Sequence, residues 1–251
     1  MRGTRSRIGE LHQAGSMKLL FPQARTPALQ AVSLNTAGGV TGGDRFHLSA
    51  SAEPGAHLVV TTQAAERIYR AQPGETGQVR TSLTVGEGGR LDWLPQETIL
   101  YDHAAVDRRL EAEIRTTGRL LAVEPLVFGR TAMGEMVETG HLSDRWRIFL
   151  EGELVFADNL RLEGAVRALL DRPGVANGAA AMASLLLVSP DAERFTERLR
   201  GVLGDAGGAS LIRPGVLFAR LLARDGYALR QRLIPAIEAL SGDDIPKTWT
   251  L

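Results

Sequence analysis

The chain has 251 residues, with 29 Lys+Arg balanced by 29 Asp+Glu and no cysteine. That length buries a substantial core, the neutral balance leaves no electrostatic footprint for nucleic acid or an anionic membrane, and the missing thiols exclude disulfides and any zinc or nickel centre built on thiolates. Met1 to Arg7 is basic but no apolar segment follows, and the longest apolar stretch, Ala179 to Val188, falls far short of the roughly 18 residues of a membrane span, so a soluble cytoplasmic protein is expected.

Up to about residue 160 the sequence reads as many short strands. Phe46, Leu48 and Ala50 alternate with His47 and Ser49. Val79 to Val85 alternates again, with Arg80, Ser82 and Thr84 on the polar face. Leu110, Ala112 and Ile114 alternate with Arg109, Glu111, Glu113 and Arg115, and Trp146, Ile148 and Leu150 with Arg145 and Arg147. A period of two places one face in a core and the other in water. Turn signals at Pro54-Gly55, Pro73-Gly74, Gly86 to Gly89, Thr117-Gly118 and Glu151-Gly152 separate the runs. Strands punctuated this regularly predict a mainly β fold: a sandwich, a barrel or a β-solenoid.

The last third changes character. Phe195, Leu199, Val202 and Leu203 fall at helical spacing after Ser189-Pro190-Asp191, with Asp191 as the expected N-cap. Leu211 to Leu222 reads as mostly strand. Leu229, Leu233, Ile237 and Leu240 then share a helical face that ends at Gly242. Two helices, within 190–205 and 225–241, are therefore expected. With no Pro/Ser-rich linker and no internal repeat in view, residues 1–251 read as a single domain.

The most unusual segment is Asn35-Thr36-Ala37-Gly38-Gly39-Val40-Thr41-Gly42-Gly43-Asp44, whose four glycines permit positive φ and close backbone approach. Gly38 and Gly43 have the separation of a phosphate loop, but Asp44 and Arg45 stand where Lys and Ser/Thr are needed. The favoured reading is a tight double turn in which Asp44 accepts backbone hydrogen bonds, with Gly39 and Gly42 intolerant of valine because of positive φ. In Thr61 to Arg70, the residues Thr61, Gln63 and Glu66 line a site or mark a solvated strand end. Trp93 to Tyr101 carries one carboxylate, Glu97, among apolar residues, and Phe128 to Glu135 sets Arg130 and Glu135 around a glycine. The five histidines are scattered, Tyr101-Asp102-His103 reads as a surface turn, and no Gly-x-Ser-x-Gly elbow occurs.

Taken in order, these segments resemble the UreD (UreH) family of urease accessory proteins. Asn35 to Asp44 resembles its glycine-rich signature (Asn35, Gly38, Gly39, Gly42, Gly43, Asp44), and Thr61 to Arg70 its Thr-Thr-Gln…Tyr-Arg segment (Thr62, Gln63, Tyr69). Leu91 to Tyr101 resembles its Leu-x-Trp-Leu-Pro-Gln-Glu segment (Pro95, Glu97), and Gly129 to Glu135 its Gly-Arg…Gly-Glu segment (Arg130, Glu135). The tail Ile245-Pro246-Lys247-Thr248-Trp249 resembles a Pro-Arg-x-Trp ending with Lys247 in place of Arg. The departure is a short segment before Gly15-Ser16-Met17-Lys18. The resemblance implies a β-helix-like body with a pair of helices attached, the motif residues being structural or partner-binding. It implies a scaffold without catalytic turnover and without a tightly bound cofactor. Such a scaffold binds apo-urease on one side and UreF on the other, with UreG, which brings nickel, reached through UreF; Ni²⁺ touches it only transiently. The alternative class is a β-sandwich hydrolase or carbohydrate-active enzyme working with a carboxylate pair.

Two carboxylates interrupt apolar runs. Glu124 lies between Leu120-Leu121-Ala122-Val123 and Pro125-Leu126-Val127-Phe128, and Asp158 follows Leu154-Val155-Phe156-Ala157. A buried lone charge costs several kcal/mol, so each is expected to be paired, protonated or facing water, either marking a strand end or pairing with Arg119, Arg130 or Arg161. The sharper reading is a water-filled passage lined by Glu124 and Asp158, whose oxygens hold Ni²⁺ more weakly than imidazole or thiolate.

Overall fold

The computed structural model describes residues 5–23, 26–130, 133–242 and 245–250. The fold is mainly β, a solenoid-like stack of coils with its helices in the C-terminal region. Each coil contributes strands to two facing sheets. In one sheet, β2 (Leu29–Asn35), β4 (His57–Thr62), β7 (Arg90–Leu94) and β10 (Arg119–Phe128) run parallel. In the other, β3 (Arg45–Ala52), β6 (Gly77–Val85), β9 (Ala105–Ile114) and β11 (Thr139–Leu150) do the same. Two three-residue strands, β5 (Glu66–Ile68) and β8 (Thr98–Leu100), continue the first sheet past a break.

The turn signals are the corners of the coils. The turn at Pro54-Gly55 rests on the next coil's turn through Gly55 N–H donating to Glu87 O at 2.9 Å, and that turn rests on the following one through Gly88 N–H donating to Thr117 Oγ1 at 2.8 Å. Antiparallel strands end the stack. Strand β1 (Met17–Leu20) pairs with β2 at one end, and β12 (Glu153–Ala165) folds back along β11 at the other. Beyond β10 the first sheet grows by β13 (Ala181–Val188), β15 (Val216–Ala223) and the edge strand β14 (Gly207–Arg213). The segment read as mostly strand is thus a hairpin, turning at Gly215 with φ 78°.

After the short α1 (Val166–Leu170), helices α2 (Thr196–Leu203) and α3 (Gly226–Ser241) pack on the outer face of the first sheet. Leu199, Leu203, Leu229, Leu233 and Ile237 meet Leu121, Val123, Leu185 and Leu187 there. Strands β10 and β13 are covered on both faces, which is why Ala179 to Val188 shows no alternation. Asp225 caps α3, accepting from Ala228 N–H at 2.7 Å. Asp191 does not cap its helix: a 3-10 turn, Ala192–Phe195, intervenes, and Asp191 accepts from Ser189 Oγ at 2.5 Å and meets Arg194 at 3.0 Å instead.

Between the sheets the apolar core falls into two clusters. One holds Leu83, Leu91, Leu110, Trp146 and Leu186; the other holds Val106, Leu126, Phe128, Leu142 and Met182. No helix among the described residues is long and apolar enough to cross a membrane.

Candidate functional site: a polar belt between the sheets

The two inter-sheet clusters are separated by polar side chains, one on each of several strands. On β10 the inward series runs Ala122, Glu124, Leu126; on β13, Leu186, Ser184, Met182; on β15, Phe218, Arg220, Leu222. Glu124, Ser184 and Arg220 share one register row. The facing sheet places Arg108 between Val106 and Leu110, and Asp144 between Leu142 and Trp146, again in one row. Thr81 and Asp158 occupy the next inward row of that sheet.

Arg108 is the hub. Its Nη1 lies 2.7 Å from Glu124 Oε2 and donates to Thr98 Oγ1 at 2.9 Å, its Nη2 pairs with Asp144, and its buried Nε has no acceptor. Glu124 Oε1 accepts the indole N–H of Trp93 at 2.8 Å. Burial drives the Glu124 carboxyl above its ordinary range, against the pull of Arg108 and Trp93. Burial also disfavours the Arg108 cation, but Asp144 and Glu124 outweigh it, so the guanidinium stays charged. Two buried carboxylates thus face one buried cation. Farther along, Arg220 donates to Ser184 Oγ at 3.2 Å and pairs with Asp158, closing the seam between β15 and β12.

The belt meets a cavity of about 90 Å³ bordered by Glu124, Asp144, Arg108, Thr81, Pro95 and Glu66. Its outer wall, Ser33, Thr62 and Glu66, is shared with a surface cavity of about 280 Å³ that Asn35, Gly38 and Gln63 also border. Burial raises the Glu66 carboxyl despite hydrogen bonds from Asn35 and the Arg67 N–H. Thr61 takes no part, since it is buried on the other face and lies 3.3 Å from Thr248.

Of the two carboxylates singled out in the sequence, Glu124 borders the cavity, whereas Asp158 is outside its lining at the far end of the belt. Neither pairs with the arginines expected. Arg119 bonds Leu240 O and faces Asp191, Arg130 holds Glu135 at 2.5 Å, and Arg161 holds Glu163. The true partners, Arg108 and Arg220, are reached across sheets. Arg108 and Asp144 were legible only by parity: each stands two residues from buried apolar neighbours on both sides, in phase with the core.

The motif residues form two other assemblies. The first is a corner ladder down successive coils. Tyr69 donates its hydroxyl to Gly38 O, 31 residues away, at 2.9 Å; Tyr69 meets Tyr101 edge-on at 5.2 Å; and Arg130 lies 4.3 Å over Tyr101. Above it, Asn35 Nδ2 donates to Gly39 O at 2.8 Å and Asp44 accepts from Thr41 N–H at 2.9 Å, which makes the glycine-rich segment the double turn expected. The positive φ values fall at Gly38 and Gly43, however, not at Gly39 and Gly42. Those two are glycine for want of space: a Cβ at Gly39 lands 2.3 Å from the Tyr69 ring and 2.7 Å from Arg67 O, and one at Gly42 lands 2.6 Å from Glu75. Tyr101-Asp102-His103 is a surface turn, with Asp102 accepting from Glu138 and Thr139 N–H groups.

The second assembly joins Gln96, Glu97 and the tail. Arg230 of α3 reaches both Glu97 oxygens and Gln96 Oε1, and the Trp249 indole N–H donates to Leu94 O at 3.1 Å. Among the described residues no group of three or more metal-ligating side chains converges.

Residues 1–250 match the family model for the UreD urease accessory protein. The chain is 52% identical over 249 residues to the urease accessory protein UreD of Ruegeria pomeroyi, covering 99% of this chain and 97% of the relative. It is 50% identical over 246 residues to that of Roseobacter denitrificans, covering 98% and 90%. It is 47% identical over 251 residues to urease accessory protein UreD 1 of Brucella abortus, covering 98% and 89%. The chain belongs to the UreD family of urease accessory proteins, which are maturation factors and not catalysts.

Proposed function

We propose that the chain is a cytoplasmic scaffold that binds apo-urease through its structural subunits and binds UreF, with UreG held through UreF, and that it passes nickel to the urease active site. The observation that carries this reading is the polar belt, a row of buried charges between two apolar clusters that reaches the surface cavity at Thr62 and Glu66. Apolar packing alone would stabilise the interior better than three buried ions do, so the charges point to a task other than stability. Carboxylate and hydroxyl oxygens suit transient Ni²⁺, which they hold more weakly than imidazole or thiolate; the imidazole bordering the cavity, His47, stands at an exposed position of β3 beside Ser49 Oγ at 2.9 Å.

Loss of the chain is expected to leave urease assembled but nickel-poor and inactive; full urease activity without it at ordinary nickel supply overturns the assignment. Glu124→Leu and Asp158→Leu test the passage itself. Both variants should assemble with their partners yet slow activation, and Lys at either position should be worse. Intact assembly with wild-type activation excludes these two residues from the route.

A further inference from the structure

The guanidinium of Arg108 lies where carboxylates from both sheets converge. Glu124 approaches from β10 and Asp144 from β11, and the Thr98 hydroxyl completes the surround. Trp93 fixes the Glu124 carboxylate by binding its other oxygen. This is an oxygen-lined cation position, and it already holds a cation. We propose that Arg108 is a displaceable stand-in: Ni²⁺ moving along the belt takes the guanidinium's place between Glu124 and Asp144, and Arg108 swings aside to admit it. The inference rests on the passage reading and adds a gate to it.

Charge counting supports displacement over shared occupancy. With both carboxyls ionised, as a bound cation requires, they and Arg108 sum to one negative charge, and a divalent ion added to that trio leaves one buried positive charge beside a like-charged guanidinium. With Arg108 withdrawn, two carboxylates and one divalent ion sum to zero. The guanidinium is held firmly at its two terminal nitrogens but not at Nε, which is buried without an acceptor. The same cavity is bordered by a second carboxylate toward which it can turn, Glu66, which among the described residues is hydrogen-bonded by Asn35 Nδ2 and the Arg67 backbone N–H and by no cationic side chain. Arg carries its charge at any physiological pH, so the exchange is driven by the incoming ion and not by protonation. At rest the resident guanidinium excludes monovalent cations and keeps two buried carboxylates from standing unpaired.

The test is Ni²⁺ titration of the full chain, read by fluorescence of Trp93, whose indole sits on Glu124. In the wild type the ion must compete with Arg108; in Arg108→Gln it need not. Half-saturation of quenching is expected at Ni²⁺ concentrations at least tenfold lower in Arg108→Gln. Adding Glu124→Gln should abolish that response, and Trp93→Phe should remove its signal. Arg108→Lys, which restores the charge, should restore the wild-type titration. If Arg108→Gln does not fold with two unpaired carboxylates, Arg108→Gln/Asp144→Asn keeps Glu124 and Thr98 with one charge fewer, and its half-saturation should still fall below that of Asp144→Asn alone. Identical titrations with and without Arg108, or quenching that survives Glu124→Gln, overturn the proposal. A slow Glu124→Leu combined with cation binding indifferent to Arg108 leaves the passage and removes the gate. A Glu124→Leu that activates urease at the wild-type rate removes both.

Discussion

Arg230 grips Glu97 through both carboxylate oxygens, Nε to Oε1 at 2.5 Å and Nη2 to Oε2 at 2.8 Å, although 133 residues separate them. The pair fastens α3 to the break between β7 and β8, and the same guanidinium lies 5.4 Å over the Trp249 ring. Glu97 is almost fully buried, so removing Arg230 strands its charge. Arg230→Ala is expected to cost about 3 kcal/mol. Arg230→Lys should recover only part, because an ammonium cannot span both oxygens. Urea denaturation of the two variants measures the difference.

Trp249, 1% exposed, ties the tail to the sheet and fills the helix-side core. Trp249→Ala should cost about 3–5 kcal/mol. Its thermal midpoint should fall well below that of Lys247→Ala, since Lys247 is exposed.

The glycine-rich turn separates two physical causes. Gly39→Val meets the Tyr69 ring and the Arg67 carbonyl and should yield insoluble protein. Gly43→Ala meets nothing within 4 Å and bears only the strain of φ 81°, so a soluble protein weakened by about 1 kcal/mol is expected. Equal solubility of the two variants would show that crowding at Gly39 is not the constraint.

Glu66 gives a dependence on pH. Burial raises its folded-state pKa above the ordinary 4.5, so between those two values the folded chain binds more protons than the unfolded chain. Its contribution to stability therefore falls as pH climbs through that window, and Glu66→Gln should remove this slope. Across the same window, acid should weaken cation entry in the wild type more than in Glu66→Gln. Denaturation and urease activation at stepped pH check both.

The strands with one wet face were legible because alternation survives in sequence, as in β6, where Thr81, Leu83 and Val85 turn inward and Arg80, Ser82 and Thr84 do not. The two strands beneath the helices were not, since burial on both faces erases the alternation that marks a strand. The corner ladder was hidden for another reason. Gly38, Tyr69, Tyr101 and Arg130 occupy equivalent corners of successive coils, yet no residue type repeats through all four, so the coil period left no visible repeat. Glu124 and Asp158 announced themselves by breaking apolar runs. Arg108 and Asp144 sit in strands full of charge, where only their phase marks them as inward. Their pairing across sheets depends on coil stacking, which local spacing does not encode.

The belt is walled by two sheets, each knitted by ladders running the length of its strands, and facing sheets stand about 10 Å apart. Such walls have low compressibility and do not widen on demand. If an ion passes along the belt as proposed above, it advances by rotation of side chains at fixed stations. Rotation of a side chain is fast compared with docking of one protein on another, so on that proposal the pace of metal delivery is set by the proteins that load and unload the two ends.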